Sequence, residues 1–154
     1  MKFHRQLFPE HRPEEGIYGD CARTVIACLL DNVAPDDVPH FAEIADEDEE
    51  HGLRLVDDWL AAWGYRRLTF AFEADLEYVG KAMTMWNPGV PYCVIGQTSR
   101  GNNHVAIYRD GNLVHDPHPS DEGITAPTGE GYYWIELIAR VPNAASHSYS
   151  KEGK

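Results

Sequence analysis

The sequence predicts an α+β domain, with helices first and an antiparallel sheet after them. Two observations carry this. Residues 21–63 hold two stretches of helical periodicity, whereas residues 90–141 are short apolar segments divided by Gly, Pro and Asp turns. Helices followed by a run of strands is the order of an α+β protein, not of alternating βαβ units. A third observation is length. A chain of 154 residues suits one core that buries about two-thirds of its unfolded surface. Residues 1–142 are therefore read as a single domain, and the polar stretch from Asn143 onward as a disordered tail.

Residues 1–18 show no periodicity and read as an irregular arm lying on the domain. In CARTVIACLLDN, Ala22, Val25, Ile26, Leu29 and Leu30 recur at helical spacing. Asp20 is the natural N-cap, Cys21 falls in the first turn, and the helix should stop near Asn32 because Pro35 follows. Pro35 to Phe41 is read as a turn or short helix entering an acidic loop. From His51 to Trp63, Leu53, Val56, Trp59, Leu60 and Trp63 share a helical face, with Gly64 as the left-handed stop.

RRLTFAFEA alternates Leu68, Phe70 and Phe72, a strand. Asp75 to Trp86 reads as a helix with Leu76, Val79, Met83 and Trp86 inward, although Gly80 weakens it. Asn87-Pro88-Gly89 is a turn, and Val90 to Ile95 a strand buried on both faces. GQTSRGNN is a polar loop leading into HVAIYRDGNLVHDP, a β-hairpin turned at Asp110-Gly111. A Pro/Gly/Asp loop fills Pro117 to Gly131, and Tyr132 to Val141 is the last strand.

Thirteen basic against twenty-five acidic side chains give a formal charge of -12. Such a surface repels phosphate backbones and anionic lipid, so neither nucleic acid nor membrane is an expected partner. The acidic run Asp46 to Glu50 reads as a solvated face. No apolar window approaches the ~20 residues that span a bilayer, and the first residues carry no apolar signal core. Three cysteines without CxxC spacing fit reduced thiols and a cytoplasmic chain.

Cys21 opens a helix, where backbone N–H groups and the helix dipole favour negative charge and hence a thiolate. Its neighbour Asp20 opposes that charge, whereas Cys28 and Cys93 read as small buried hydrophobes. His104 starts a strand and is the candidate base. A three-residue loop with a bulge at Asp110-Gly111-Asn112 would pair Ala106 with Asp116 and put Asp116 diagonal to His104 on one face. A two-residue Asp-Gly turn would instead pair Val105 with Asp116 and turn it to the other face.

GDCARTVIACLL with VPHF after it, and NHVAIY…LVHDPHP, resemble the papain-like proteins often encoded by bacteriophages and prophages. They are similar in turn to the bacteriocin-processing, double-glycine cysteine peptidases, whose His strand also leads to an Asp-Pro. The resemblance covers roughly residues 16–120. It implies a papain-like fold with an N-terminal helical part on an antiparallel sheet, in the host cytoplasm if phage-encoded. Cys21 would be the nucleophile, His104 general base and then acid, and Asp116 the group orienting the imidazole. The function so implied is acyl transfer on a peptide, isopeptide or amide substrate, without a cofactor.

The resemblance also implies a Gln donor to the oxyanion a few residues before the Cys. Glu15 stands six residues before Cys21; Gln6 is the upstream Gln and would have to be folded back by the arm. Gln97, Arg100 and His118 flank the site as candidate substrate contacts. A catalytically idle papain-like module that binds a protein partner is the alternative. A zinc hydrolase built from His104, His115, His118 and Asp116 is a third reading. But His115 and Asp116 are adjacent on a strand and face opposite ways, and no HExxH spacing appears, so no metal is expected.

Overall fold

In the computed structural model, which describes residues 1–141, both helical stretches form helices and the apolar segments form one sheet. The tail expected from Asn143 onward lies outside the described residues. Helix α1, Cys21–Leu29, buries Val25, Ile26, Ala27 and Cys28. It ends before Asn32, which takes a left-handed φ of 62°.

Asp20 precedes α1 but does not cap it. Its carboxylate instead accepts hydrogen bonds from Phe8 N–H at 2.9 Å, Leu7 N–H at 3.2 Å and Arg23 Nε at 3.2 Å. Arg23 is itself buried, and an unpaired guanidinium there would cost several kcal/mol. The expected opposition to a Cys21 thiolate is thus blunted by a cation bound to the same carboxylate.

Pro35–Asp37 forms one 3-10 turn, and helix α2, Ala42–Glu47, and helix α3, Glu49–Ala62, follow. The acidic segment expected as a loop is therefore mostly helical. Asp48 caps α3 by accepting from His51 N–H at 2.9 Å, and Glu49 and Glu50 occupy the first turn. That is where a helix favours carboxylates. Gly64 ends α3 with a φ of 80° and leads into strand β1, Tyr65–Phe72.

Helix α4, Leu76–Trp86, is capped by Asp75, which accepts from Tyr78 N–H. Val79 and Met83 are buried as expected, but Trp86 is 62% exposed. It is the last residue of α4, and none of the buried clusters includes it. Gly80 has a reason to be in this helix. A Cβ there would stand 3.0 Å from the Gly111 Cα, so it lets α4 touch the hairpin turn.

Strands β2 (Tyr92–Gln97), β3 (Asn103–Arg109), β4 (Asn112–His115) and β5 (Tyr133–Arg140) complete one sheet of order β1-β5-β2-β3-β4, antiparallel throughout. Val79 and Met83 of α4 pack on one face against Val94, Ala106, Tyr108 and Ile135. On the other face α1 sets Val25 and Cys28 against Cys93, Val105 and Ile107. Val56 and Leu60 of α3 join Ile26 of α1, with Tyr65 and Ile138 packed beside them. No helix among the described residues is long and apolar enough to cross a membrane.

Gly96 of β2 pairs with His104 of β3. A Cβ on Gly96 would lie 2.5 Å from the Ala126 carbonyl oxygen and 2.6 Å from Ile124 Cγ2. Backbone cannot yield there cheaply. Gly96→Ala is expected to cost about 1–3 kcal/mol, read as a fall of several degrees in the thermal midpoint. An unchanged midpoint would show that this approach is not tight.

The hairpin differs from expectation in an informative way. Arg109 pairs with Asn112 and Tyr108 with Leu113, so Asp110-Gly111 is a two-residue turn, with φ of 50° and 76°. Positive φ at both positions is the conformation that fits the twist of a hairpin. The bulge comes later. Ile107 pairs with His115, which leaves Val114 as the extra residue on β4. The expected one-residue shift occurs in the return strand instead of the loop. Continued by one residue, that register sets Asp116 opposite Ala106, the relation that brings it to His104.

Candidate active site

A strand-opening His and a carboxylate just past the hairpin meet closely. His104 Nε2 lies 2.7 Å from Asp116 Oδ1, and both side chains are buried. A carboxylate can only accept, so Nε2 carries the hydrogen and donates. Asp116 is held on all sides: Oδ1 also accepts from His118 N–H at 2.8 Å, and Oδ2 from Gly123 N–H at 2.8 Å.

These contacts set the charge states. Burial pushes the Asp116 carboxyl up, but the His104 hydrogen bond and the two N–H groups outweigh it and bring its pKa down to about 2. Burial likewise disfavours the His104 imidazolium. The Asp116 hydrogen bond, then the hydrogen bonding and charge of Cys21, overcome burial and raise the pKa to about 9. At neutral pH the pair is imidazolium and carboxylate.

Cys21 is the first residue of α1, so its N–H has no partner within the helix. Its side chain is partly exposed, while Cys28 and Cys93 are buried. Burial raises the pKa of both buried thiols. Cys21 and His104 line one cleft of about 750 Å³. It is walled by Val25 and Ile26 of α1 and Leu53 and Val56 of α3, and floored by Ile95, Trp134, Glu136 and Ile138 of the sheet.

The N-terminal arm does more than cover the domain. Lys2 N–H donates to the Cys28 carbonyl, and Phe8 N–H to Asp20, which fastens it to α1. Arg5 Nη1 donates to the Asp116 and His118 carbonyls, both at 2.9 Å, and pairs with Asp121. Phe3 stacks on His115, whose Nε2 lies 2.7 Å from the His4 carbonyl. One strap thus ties the helix carrying Cys21 to the loop carrying Asp116.

The remaining expected residues take other positions. The arm does fold Gln6 back: its N–H donates to the Pro117 carbonyl and its side chain is buried. Its amide Nε2, however, donates to the Phe8 carbonyl at 3.2 Å, and Gln6 does not line the cleft. Gln97 engages residues 125 and 126 through its backbone, and Arg100 binds Ser120 and Glu122. Neither lines the cleft. His118 bonds Ser120, and its ring meets His104 edge-on with centroids 6.0 Å apart. His115 turns toward the arm, and among the described residues no three His, Cys, Asp or Glu side chains converge as a ligand set.

Sequence reasoning missed Arg67 and Glu136. Arg67 Nη1 donates to Glu136 Oε1 at 2.9 Å, while its Nε and Nη2 bind Asp57. The signal was there: period two puts Glu136 between Trp134 and Ile138 on one face, a lone carboxylate on an apolar floor. Compared with known proteins, the chain matches no family, no curated protein and no solved structure.

Proposed function

We propose that this chain is a papain-like thiol enzyme that performs acyl chemistry on a peptide, isopeptide or amide. The observation that carries the reading is the His104 imidazole bound to the Asp116 carboxylate at 2.7 Å and lining, together with Cys21, one large cleft. The Cys21 thiolate attacks the acyl carbonyl, and the His104 imidazolium gives its proton to the leaving amine. Water or a second amine, deprotonated by His104, then releases the acyl group from sulfur. Cys21 N–H, at the first position of α1 and without an intrahelical partner, would serve as one oxyanion donor.

A second reading is favoured by Gln6. One N–H of its amide donates to the Phe8 carbonyl and the residue does not line the cleft, so Gln6 does not supply the other oxyanion donor of papain-like enzymes there. On that reading the chain is an idle module that binds a protein through the same fold. Alkylation separates the two. Near neutral pH, iodoacetamide should label Cys21 far faster than Cys28 or Cys93, as read by peptide mass spectrometry. Equal, slow labelling of all three would sink the enzyme reading.

A further inference from the structure

The cleft has a chemical bias that the Cys-His-Asp set does not use. Across the sheet, Ile95 pairs with Trp134 and Cys93 with Glu136, while Gly96 pairs with His104. Glu136 therefore stands three residues farther down the sheet than the His104 row, ~10 Å at strand spacing. Between them the surface is apolar, formed by Ile95, Trp134 and Val25.

Glu136 is an unusual residue for such a floor. Its Oε1 accepts from Arg67 Nη1 at 2.9 Å and Thr69 Oγ1 at 3.4 Å. Among the described residues Oε2 has no hydrogen-bond partner, although Glu136 lines the cleft and its side chain is only 16% exposed. Arg67 does not make this region positive, because Asp57 holds two of its nitrogens. Glu49 and Glu130 add two further carboxylates to the lining, against Arg67 and the His104 imidazolium among the described residues, each of which is already paired with a carboxylate. Oε2 is not among the buried polar atoms left without a partner, so it opens into the cleft, where a donor from a ligand can reach it. Burial of Glu136 pushes its pKa up, the mark of a charge short of solvation.

We infer that the cleft selects substrates with a long basic side chain, whose aliphatic stem lies on Ile95 and Trp134 and whose cationic head binds Glu136 Oε2. This names a substrate class for the proposed thiol site and rests on that reading. An arginine or lysine side chain has the needed form, an apolar stem with a donor-rich end. An acidic side chain would meet Glu136, Glu49 and Glu130 and be repelled. The formal charge of -12 adds long-range attraction for basic peptides.

The test is binding without chemistry. The Cys21→Ser protein is titrated by calorimetry with acetylated leucine tripeptide amides, in which each position in turn is arginine, citrulline or norleucine. Salt is held at about 0.5 M, where the Debye length is only a few Å. At one position the arginine peptide should bind at least about tenfold tighter than either neutral peptide, the size of one charge-assisted hydrogen bond. Glu136→Gln should bring that ratio close to one. Should that variant not fold, the arginine-to-citrulline ratio on intact Glu136 decides alone, because the two side chains differ in charge and not in shape. Equal binding, tighter norleucine binding, no binding by any peptide, or an arginine preference that survives in folded Glu136→Gln each overturns the inference. Slow labelling of Cys21 would sink the enzyme reading and leave this measurement intact.

Discussion

Asp116→Ala is expected to remove about 3–5 kcal/mol of stability, the usual cost of taking one partner from a buried ion pair. The substitution strands more than His104. The N–H groups of His118 and Gly123 lose their acceptor as well, and both lie on the loop that Arg5 ties to the arm. For a domain of this size each kcal/mol moves the thermal midpoint by about 2–4 °C, so a fall of roughly 10 °C is expected. Asp116→Asn keeps the shape and one acceptor but removes the charge, and should fall between. The pH dependence gives a sharper reading. His104, raised from 6.5 to about 9, contributes stability that is complete below pH 6.5 and lost as pH climbs through 9. Asp116, lowered from 3.8 to about 2, contributes stability that is complete above pH 3.8 and lost as pH falls through 2. The gap between wild type and Asp116→Asn should therefore be widest between about pH 4 and 6.5 and shrink on both sides. A gap independent of pH would mean that Asp116 acts by packing and neutral hydrogen bonds alone.

The parts of this fold that are local could be read from the residues, and those that depend on distant partners could not. Helical spacing placed α1 and α3, Gly64 ended α3, and alternation placed β1. The place of the hairpin turn at Asp110-Gly111 was equally legible, but its length was not: spacing left two and three residues open, and the structure has two. The bulge at Val114 was not legible, because the residue after it, His115, is held by the His4 carbonyl and Phe3 from the arm at the other end of the chain. The arm shows no periodicity for a related reason. It is fixed through main-chain bonds to Cys28, Pro117 and the Asp20 carboxylate, and such bonds leave no periodicity in side chains. Asp20 shows the same limit: spacing made it a cap, but Phe8, Leu7 and Arg23 claim its oxygens. For the site, Cys21 at a helix start and a His-to-Asp hairpin were visible in sequence. The Arg67–Glu136 pair depends on β1 joining β5 across 69 residues, and no local pattern encodes that.

His104→Ala is expected to lower turnover of any acyl substrate by roughly 10²–10⁴-fold, the range for losing a positioned acid-base group. The same change should abolish the faster alkylation of Cys21 over Cys28 and Cys93. With a pKa of about 9, His104 carries its proton on nearly every molecule at neutral pH. That charge lies in the cleft that Cys21 also lines, so alkylation of Cys21 near neutral pH should be much faster in the wild type than in His104→Ala. The rate measured against pH gives an alkylation profile for each protein, and removing the imidazole should change that profile. A structural role for His104 would leave that profile unmoved and change only the thermal midpoint. His104→Gln separates the two, because its amide can still donate to Asp116 but cannot hold a transferable proton. If His104→Gln keeps the midpoint yet shifts the alkylation profile to that of His104→Ala, the imidazole acts through its charge and proton. If wild type and both variants share one profile, Cys21 is not coupled to His104, and the thiol-enzyme reading loses its base.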